Sequence, residues 1–325
     1  MDLAVVSAFS RLGAGSFATV FVNECRGGAV VKQVKDPADG DLLDKEHGDL
    51  QRLHRDCTDC TDAFFDLPRP FGFYSDYWTF ARQAGIPRTV DLGLPPHAMY
   101  VMQRVWPVST SLTERIRALF FPPDVRDLPV APFLARLYLG RATSRATSRF
   151  FCAENFALDA ERVEQLGLPS DRIAAGMGQM LARINFRAGR DGRDIEFVLC
   201  GDPHNPLSGQ PAYCCIDFNQ MRPHGGDAAA IVDSIASNDP YVPRPPSPYW
   251  AHFAAAYATE AAAASAAASE LARAPFFPKC CRLQQEPCRE SDCPRSPGPV
   301  AVSALLLLEL DTSFRHEGLN RGPRE

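Results

Sequence analysis

The first 34 residues alternate short apolar runs with glycine-rich turns, and this pattern strongly constrains the fold. Valine-rich runs between residues 5 and 34 are separated by turns at Gly13–Gly15 and Gly27–Gly28, which predicts three short strands. Leucines then recur at helical spacing from about Gly40 to His54, which predicts an amphipathic helix. Strands followed by helices are typical of the α+β class.

The remaining pattern predicts a second, mostly helical part. A strand near Phe71–Tyr74 and a buried strand at Met99–Val105 complete the first part. Later segments are predicted as helices at 130–142, 159–166, 171–186, 227–237 and 248–273, and as strands at 195–200 and 212–217. We therefore expect a two-lobed α+β fold with a small β-rich lobe at 1–105, a larger helical lobe at 106–274 and a poorly ordered tail at 275–325.

Composition excludes several classes of partner. A hydrophobic fraction of 46% over 325 residues is enough for a sizeable core, and the net charge of −5 argues against nucleic acid. The N-terminus lacks the pattern of a signal peptide, and the longest late apolar run, Val300–Leu308, is far below the roughly 20 residues that a membrane-spanning helix needs. The sequence predicts a cytoplasmic protein with no nucleic-acid or membrane partner.

Cysteine usage favours reduced thiols over a disulfide framework. The chain has 11 cysteines, an odd number, and several lie inside apolar runs. Four cysteines in the tail could assemble a thiolate zinc site, but their spacing is not one of the usual pairs: Cys280, Cys281, Cys288 and Cys293. We interpret the tail as disordered.

A glycine pair between the first two predicted strands is a candidate anion site. Gly13 and Gly15 leave the backbone N–H groups open to an anionic ligand because neither residue has a Cβ atom. An ordinary hairpin with a glycine turn is the alternative.

A lysine and a carboxylate follow the glycine pair. Lys32 ends the next apolar strand, and Glu46 falls on the apolar face of the predicted helix. An unpaired buried carboxylate is costly, so Lys32 is its natural partner. The alternative is an incidental Glu at the edge of that face.

Three carboxylates are expected to converge in the second part. Asp191 lies five residues before Glu196, which opens one apolar strand, and Asp217 ends the neighbouring strand. Clustered carboxylates repel one another unless a cation lies between them, and oxygen ligands suit magnesium. Alternatively, Asp191 and Asp194 form a solvated acidic turn.

Together these segments resemble the protein-kinase-like superfamily. The match to its glycine-rich loop is Gly13-x-Gly15-x-Phe17-x-x-Val20, and Arg190-Asp191 through Leu199 resembles its catalytic loop. Asp217-Phe218-Asn219 resembles its metal-binding triplet. More closely, the chain is similar to a fungal family of kinase-related domains whose activity is not established. That likeness rests on the 191–199 and 216–219 segments and on Asn238-Asp239-Pro240-Tyr241.

The resemblance implies a phosphotransferase that binds ATP and Mg²⁺ between two lobes. It assigns catalytic roles to Lys32, Glu46 and Asp191, with Asp191 as the base, and magnesium to Glu196 and Asp217. The residues that it places at the nucleotide are Gly13, Gly15, Val20, Lys32, Met102 and Gln103.

Departures from the pattern keep a second interpretation open. Gly189 replaces the usual His, Glu196 the metal-binding Asn, and Asn219 the usual Gly. No Ala-Pro-Glu follows the triplet, so a small-molecule acceptor is favoured over a protein. The alternative is a pseudokinase, which binds nucleotide or a protein partner without turnover.

Overall fold

The described part of the chain is a mixed α+β fold, as the sequence predicts. The structure is a computed structural model that describes residues 9–23, 28–58, 62–87, 92–140, 156–202, 205, 209–238 and 240–273. The predicted tail at 275–325, with its four cysteines, lies outside these residues, as do residues 1–8. Strands dominate the first part and helices the later part.

The N-terminal part forms a five-stranded antiparallel sheet in the order β1-β2-β3-β5-β4. Its strands are β1 (Ser10–Ala14), β2 (Ala18–Val22), β3 (Ala29–Val34), β4 (Pro70–Tyr74) and β5 (Met99–Gln103). The three strands predicted before residue 34 are confirmed, as are the two near 71–74 and 99–105. Helix α2 (Tyr77–Gln83), which we did not predict, follows β4.

Helix α1 (Gly40–Cys57) packs its apolar face beside this sheet. A short 3-10 turn precedes α1, and the Asp36 side chain accepts a hydrogen bond from the Ala38 N–H at its start. Leu43, Leu50 and Leu53 are fully buried, which confirms the predicted apolar stripe. The helix therefore has a fixed rotation about its axis, and this rotation decides where its polar residues point.

A second sheet lies in the later part, in the order β7-β6-β8-β9. Its strands are β6 (Ala135–Tyr138), β7 (Ala157–Asp159), β8 (Glu196–Gly201) and β9 (Pro211–Ile216). β8 and β9 pair antiparallel from Glu196↔Ile216 to Gly201↔Pro211, so both predicted strands are confirmed. Asp217 directly follows the end of β9 beside Glu196.

The helix predicted at 130–142 is wrong, because part of this segment is the strand β6. Ala135 and Leu137 are buried, whereas Arg136 and Tyr138 are half-buried, so burial alternates with the period of a strand. β6 also pairs with β8 and β7. The apolar stretch is short, so its sequence alone does not distinguish the two-residue repeat of a strand from the repeat of a helix.

The helices of the later part are α3 (Thr110–Phe120), α4 (Ala160–Gln165), α5 (Ser170–Phe186), α6 (Ala228–Ser237) and α7 (Trp250–Arg273). All but α3 were predicted, within a few residues at each end. α5 and α7 pack so closely that a Cβ atom on Gly178 would lie 2.2 Å from the carbonyl oxygen of Phe253. None of the helices in the described residues is both long and apolar enough to span a bilayer.

Candidate functional site

Lys32 joins two carboxylates that are far apart in sequence. Its Nζ atom lies 2.6 Å from Oε1 of Glu46 and 3.3 Å from Oδ1 of Asp217. The predicted ion pair between Lys32 and Glu46 is therefore present, and Asp217 joins it from the end of β9. The three residues connect β3, α1 and the second sheet at one point.

Local structure explains why Glu46 reaches Lys32. Glu46 is 1% exposed because it lies on the face of α1 that carries the buried leucines. Tyr100 is the cross-strand neighbour of Lys32, and its hydroxyl donates a hydrogen bond of 3.2 Å to Oε1 of Glu46. Sequence reasoning missed Tyr100, although its position in the strand opposite Lys32 is a signal once the two strands are paired.

Burial and charge act against each other in this cluster. Burial alone lowers the pKa of Lys32, but the carboxylates of Glu46 and Asp217 offset it, so the pKa is raised. Burial raises the pKa of Glu46, and the charge of Lys32 opposes this shift. Lys32 is thus a cation at neutral pH, held at the junction of the two sheets.

Asp217 has an unusual backbone, and its carboxylate is more accessible than that of Glu46. Its φ is +63°, in the left-handed region, where Asp is tolerated better than most residues. Its side chain is 35% exposed, and the following Phe218 is buried. Asp194 is the other described residue besides glycine with a positive φ, at +61°. Such backbone strain is concentrated at functional sites.

Glu196 is engaged by a cation of the protein itself. Its Oε1 atom lies 2.8 Å from Nη2 of Arg136, a residue of β6 that the sequence did not single out. Burial raises the pKa of Glu196, with Arg136 opposing the shift and Asp217 adding to it. Glu196 and Asp217 are therefore electrostatic neighbours, but Glu196 already has a counter-ion.

Asp191 is buried and is bound to the backbone. It is 3% exposed, and its Oδ1 atom accepts hydrogen bonds from the N–H groups of Arg222 at 2.9 Å and Arg193 at 3.2 Å. The Ser234 hydroxyl on α6 donates to its carbonyl oxygen at 2.6 Å. The carboxylate does not face bulk solvent, and it ties the turn before β8 to the segment after β9.

Two polar contacts, from Asp49 and from Lys45, connect α1 to the segments that carry Asp191 and Asp217. Asp49 is 2% exposed and pairs with Nε of Arg190 at 2.7 Å and with Nζ of Lys45 at 3.0 Å. Lys45 also donates to the carbonyl oxygen of Met221 at 2.6 Å. Sequence reasoning missed Asp49, which lies one turn after Glu46 and next to Leu50. That position was the available signal.

The predicted glycine-rich loop is the hairpin between β1 and β2. A Cβ atom on Gly13 would meet no heavy atom within 4 Å, so packing does not require a glycine there. The aromatic ring of Phe17 lies with its centroid 5.2 Å from Nζ of Lys32, and Val20 is the cross-strand partner of Lys32. The hairpin therefore borders the Lys32 cluster. Gly15 is fixed to Ala18 by a backbone hydrogen bond of 2.9 Å.

Met102 and Gln103 lie at the end of β5, on the far side of β3 from the hairpin. Met102 is half-buried, and Oε1 of Gln103 accepts a hydrogen bond of 3.2 Å from the Arg69 N–H. The backbone N–H of Gln103 donates to the Arg69 carbonyl at 2.8 Å.

Of the predicted site residues, the structure brings Lys32, Glu46 and Asp217 into contact, with Glu196 near Asp217.

Comparison with known proteins gives a match over part of the chain. The family model DUF3669, described as a zinc finger protein, matches residues 215–270. No curated protein matches the chain. The protein-kinase-like resemblance, and with it the fungal kinase-related family, is therefore wrong as a family assignment, because the matching family is a different one. The motifs behind that resemblance were short and contained several substitutions.

The matched segment does not fit a zinc site. Its one cysteine and two histidines are Cys215, His224 and His252. Cys215 is fully buried in β9, and burial raises its pKa well above the usual value, which disfavours the thiolate that zinc needs.

Both histidines of the segment have other partners. Nδ1 of His224 accepts from the Gly226 N–H at 3.0 Å, and Nε2 donates to the Asn185 carbonyl at 2.8 Å. His252 lies 3.5 Å from Asp171. Within the ranges that the structure describes, no three His, Cys, Asp or Glu side chains are placed to hold a metal. Among the described residues, the likeness to DUF3669 is thus a likeness in sequence without a zinc site.

Proposed function

We propose that the region around Lys32 binds a nucleoside triphosphate and that the protein is a phosphotransferase. The observation that carries the proposal is the partly buried cation of Lys32, held by Glu46 at 2.6 Å and Asp217 at 3.3 Å beside a glycine hairpin. A fixed ammonium group next to an accessible carboxylate suits a magnesium–polyphosphate ligand. The two-lobed, kinase-like division into residues 1–105 and 106–274 is part of this proposal.

The nucleotide would lie between these two parts. Lys32 would contact the phosphates, and the hairpin that carries Gly13 and Gly15 would cover them. Val20, Met102 and Gln103 would line the side of the base. The absence of packing around the Gly13 Cβ position supports this role, because it leaves room for a ligand to approach the backbone.

Asp217 is the residue best suited to hold Mg²⁺. Magnesium in such sites takes one or two protein carboxylates and completes its shell with water and substrate phosphates, so one accessible carboxylate is enough. Glu196 would be the second ligand only if Arg136, now 2.8 Å away, released it. When bound, the ion neutralises charge on the transferring phosphate.

Asp191 is the proposed base, and a small molecule is the proposed acceptor. The connection from Asp217 to the start of α6 at Ala228 is short, which leaves little room for a segment that would bind a protein substrate. Asp191 would orient an acceptor hydroxyl, and positioning with charge stabilisation supplies most of the rate in this chemistry.

A binding module without turnover is the second candidate. Two observations favour it: Glu196 is paired with Arg136, and the Asp191 carboxylate already accepts two backbone hydrogen bonds. Such a pseudokinase would use the same cleft for nucleotide, or present it to a protein partner. Nucleotide binding is common to both candidates, whereas phosphate transfer separates them.

Binding is tested by thermal unfolding with ATP, with and without Mg²⁺. ATP at a hundred times its dissociation constant should stabilise the protein by about 2.7 kcal/mol, and only with the metal present. Asp217→Ala should remove the metal-dependent part, whereas Asp124→Ala, at an exposed aspartate, should not. No shift with any nucleotide would reject nucleotide binding.

Turnover is tested with Asp191→Asn. An asparagine can still accept from the Arg193 and Arg222 N–H groups, so folding and ATP affinity should be nearly unchanged. If the protein is an enzyme, phosphate transfer or background ATP hydrolysis should fall by on the order of a hundredfold. Equal, background-level hydrolysis by both proteins would favour the binding module.

A further inference from the structure

A cavity of about 520 Å³ lies between α5 and α7, and none of the residues assigned to the nucleotide lines it. Three arginines and two carboxylates contribute to its wall: Arg172, Arg183, Arg187, Asp62 and Glu260. Small residues of the two helices form much of the rest. The wall therefore combines an apolar surface with one more cation than anions.

Arg183 is buried with incomplete hydrogen bonding. Its side chain is 1% exposed, Nη2 donates to Oδ1 of Asp62 at 2.9 Å, and Nε lies 3.1 Å from Oε2 of Glu260. Its Nη1 atom is buried and has no hydrogen-bond partner among the described residues. A buried guanidinium with an unmet N–H group is unfavourable, so a further acceptor would stabilise it.

The existing partners of Arg183 leave room for such an acceptor. The Asp62 side chain is 72% exposed, and an exposed carboxylate is a weak partner because water competes for it. Glu260 is shared, since it also bonds to Nη2 of Arg187. Arg172 is exposed and stacks over the ring of Phe64, with 5.5 Å between its guanidinium carbon and the ring centroid.

We propose that this cavity binds a small organic anion. Its oxyanion head, a carboxylate or a phosphate, takes the place of the Asp62 carboxylate at Nη2 of Arg183, also accepts from the unmet Nη1, and pairs with Arg172, because guanidinium groups bind both oxyanions in a two-pronged geometry. An apolar body packs against Ala175, Ala256 and Ala263, which also line the cavity. This site is independent of the proposed nucleotide cleft.

Calorimetric titration of the full chain with octanoate and with octyl phosphate tests the proposal, and octylamine is the control with the opposite charge. At least one anion should bind saturably at concentrations up to about 5 mM, and octylamine should not. Which of the two anions binds more tightly identifies the head group. Absence of binding by both anions, or equal binding by octylamine, overturns the proposal.

Two surface variants locate the binding. Asp62→Asn removes the competing carboxylate and should tighten anion binding by about two- to fivefold, whereas Arg172→Gln should weaken it by a similar factor. Asp124→Asn is the matched control and should leave the affinity unchanged. Anion affinity that responds to neither Asp62→Asn nor Arg172→Gln would show that the cavity is not the site.

Discussion

The ion pair between Lys32 and Glu46 can be tested with a double-mutant cycle. Glu46→Gln keeps the shape of the side chain but removes the charge that lies 2.6 Å from Nζ of Lys32. Removing one partner of a buried pair costs about 3–5 kcal/mol. Asp217 remains 3.3 Å from Lys32 and compensates part of this loss, so we expect a cost of about 2–3 kcal/mol.

Removal of the cation should lower the free energy of unfolding more than removal of the Glu46 charge does. Lys32→Met leaves Glu46, which is 1% exposed, without a cation, and we expect a loss of about 3–5 kcal/mol. The double variant, Lys32→Met with Glu46→Gln, removes both charges and so leaves neither of them buried without a partner. The loss of unfolding free energy in the double variant should therefore be smaller than the sum of the two single losses by about 1.5–3 kcal/mol.

Urea unfolding at pH 7, followed by tryptophan fluorescence, measures all four free energies of unfolding. Asp56→Asn, in the exposed pair with Arg55, is the control and should cost less than about 1 kcal/mol. The reasoning would be refuted if Glu46→Gln cost no more than this control, or if the two single costs simply added. Because the pKa of Lys32 is raised, its contribution should persist at neutral pH and decline only as pH rises above 10.5.

Three further predictions concern packing and burial. Gly178→Ala should destabilise the protein by several kcal/mol or prevent folding, because its Cβ would lie 2.2 Å from the Phe253 oxygen. Its control is Gly48→Ala, on the open face of α1, which should stabilise the protein by about 0.5–1 kcal/mol in the same urea assay. Burial lowers the pKa of His47, so this group should reduce the free energy of unfolding by up to about 1.4 kcal/mol per pH unit below pH 6.5. His47→Gln should weaken this pH dependence, and His54, whose pKa burial also lowers, contributes to what remains. Burial raises the pKa of Cys200 to about 12, so iodoacetamide at pH 8 should leave it unmodified in the native protein and react with it in urea, as peptide mass spectrometry can show.

Local periodicity was sufficient to predict the Lys32–Glu46 contact. The leucine spacing fixed the face of α1, and a carboxylate on that face needed a cation, which the preceding strand supplied. The strands β8 and β9 were likewise predicted from their apolar runs, so Asp217 was expected beside Glu196. In each case the deciding signal lies within a short stretch of chain.

Contacts between distant segments were not predictable in this way. Arg136 pairs with Glu196 because β6 lies against β8, and the sequence of either strand alone carries no sign of that pairing. We assigned a helix to the segment that contains β6 for the same reason, because the sequence does not show that β6 pairs with β7 and β8. The burial of Asp191 was also missed, because it depends on backbone groups at Arg222 that only the folded chain brings near.

The boundary of the DUF3669 match lies inside β9, and this position matters for the design of truncated forms of the protein. The segment that matches DUF3669 begins at Cys215, inside β9, whereas β8, the strand that pairs with β9, ends at Gly201. Helix α7 lies almost entirely in the segment, but α5, on which it packs, does not. A peptide of residues 215–270 would therefore expose the faces of α7 and β9 to water, and we expect it to be unfolded in isolation. The smallest autonomous unit must reach back at least to α5.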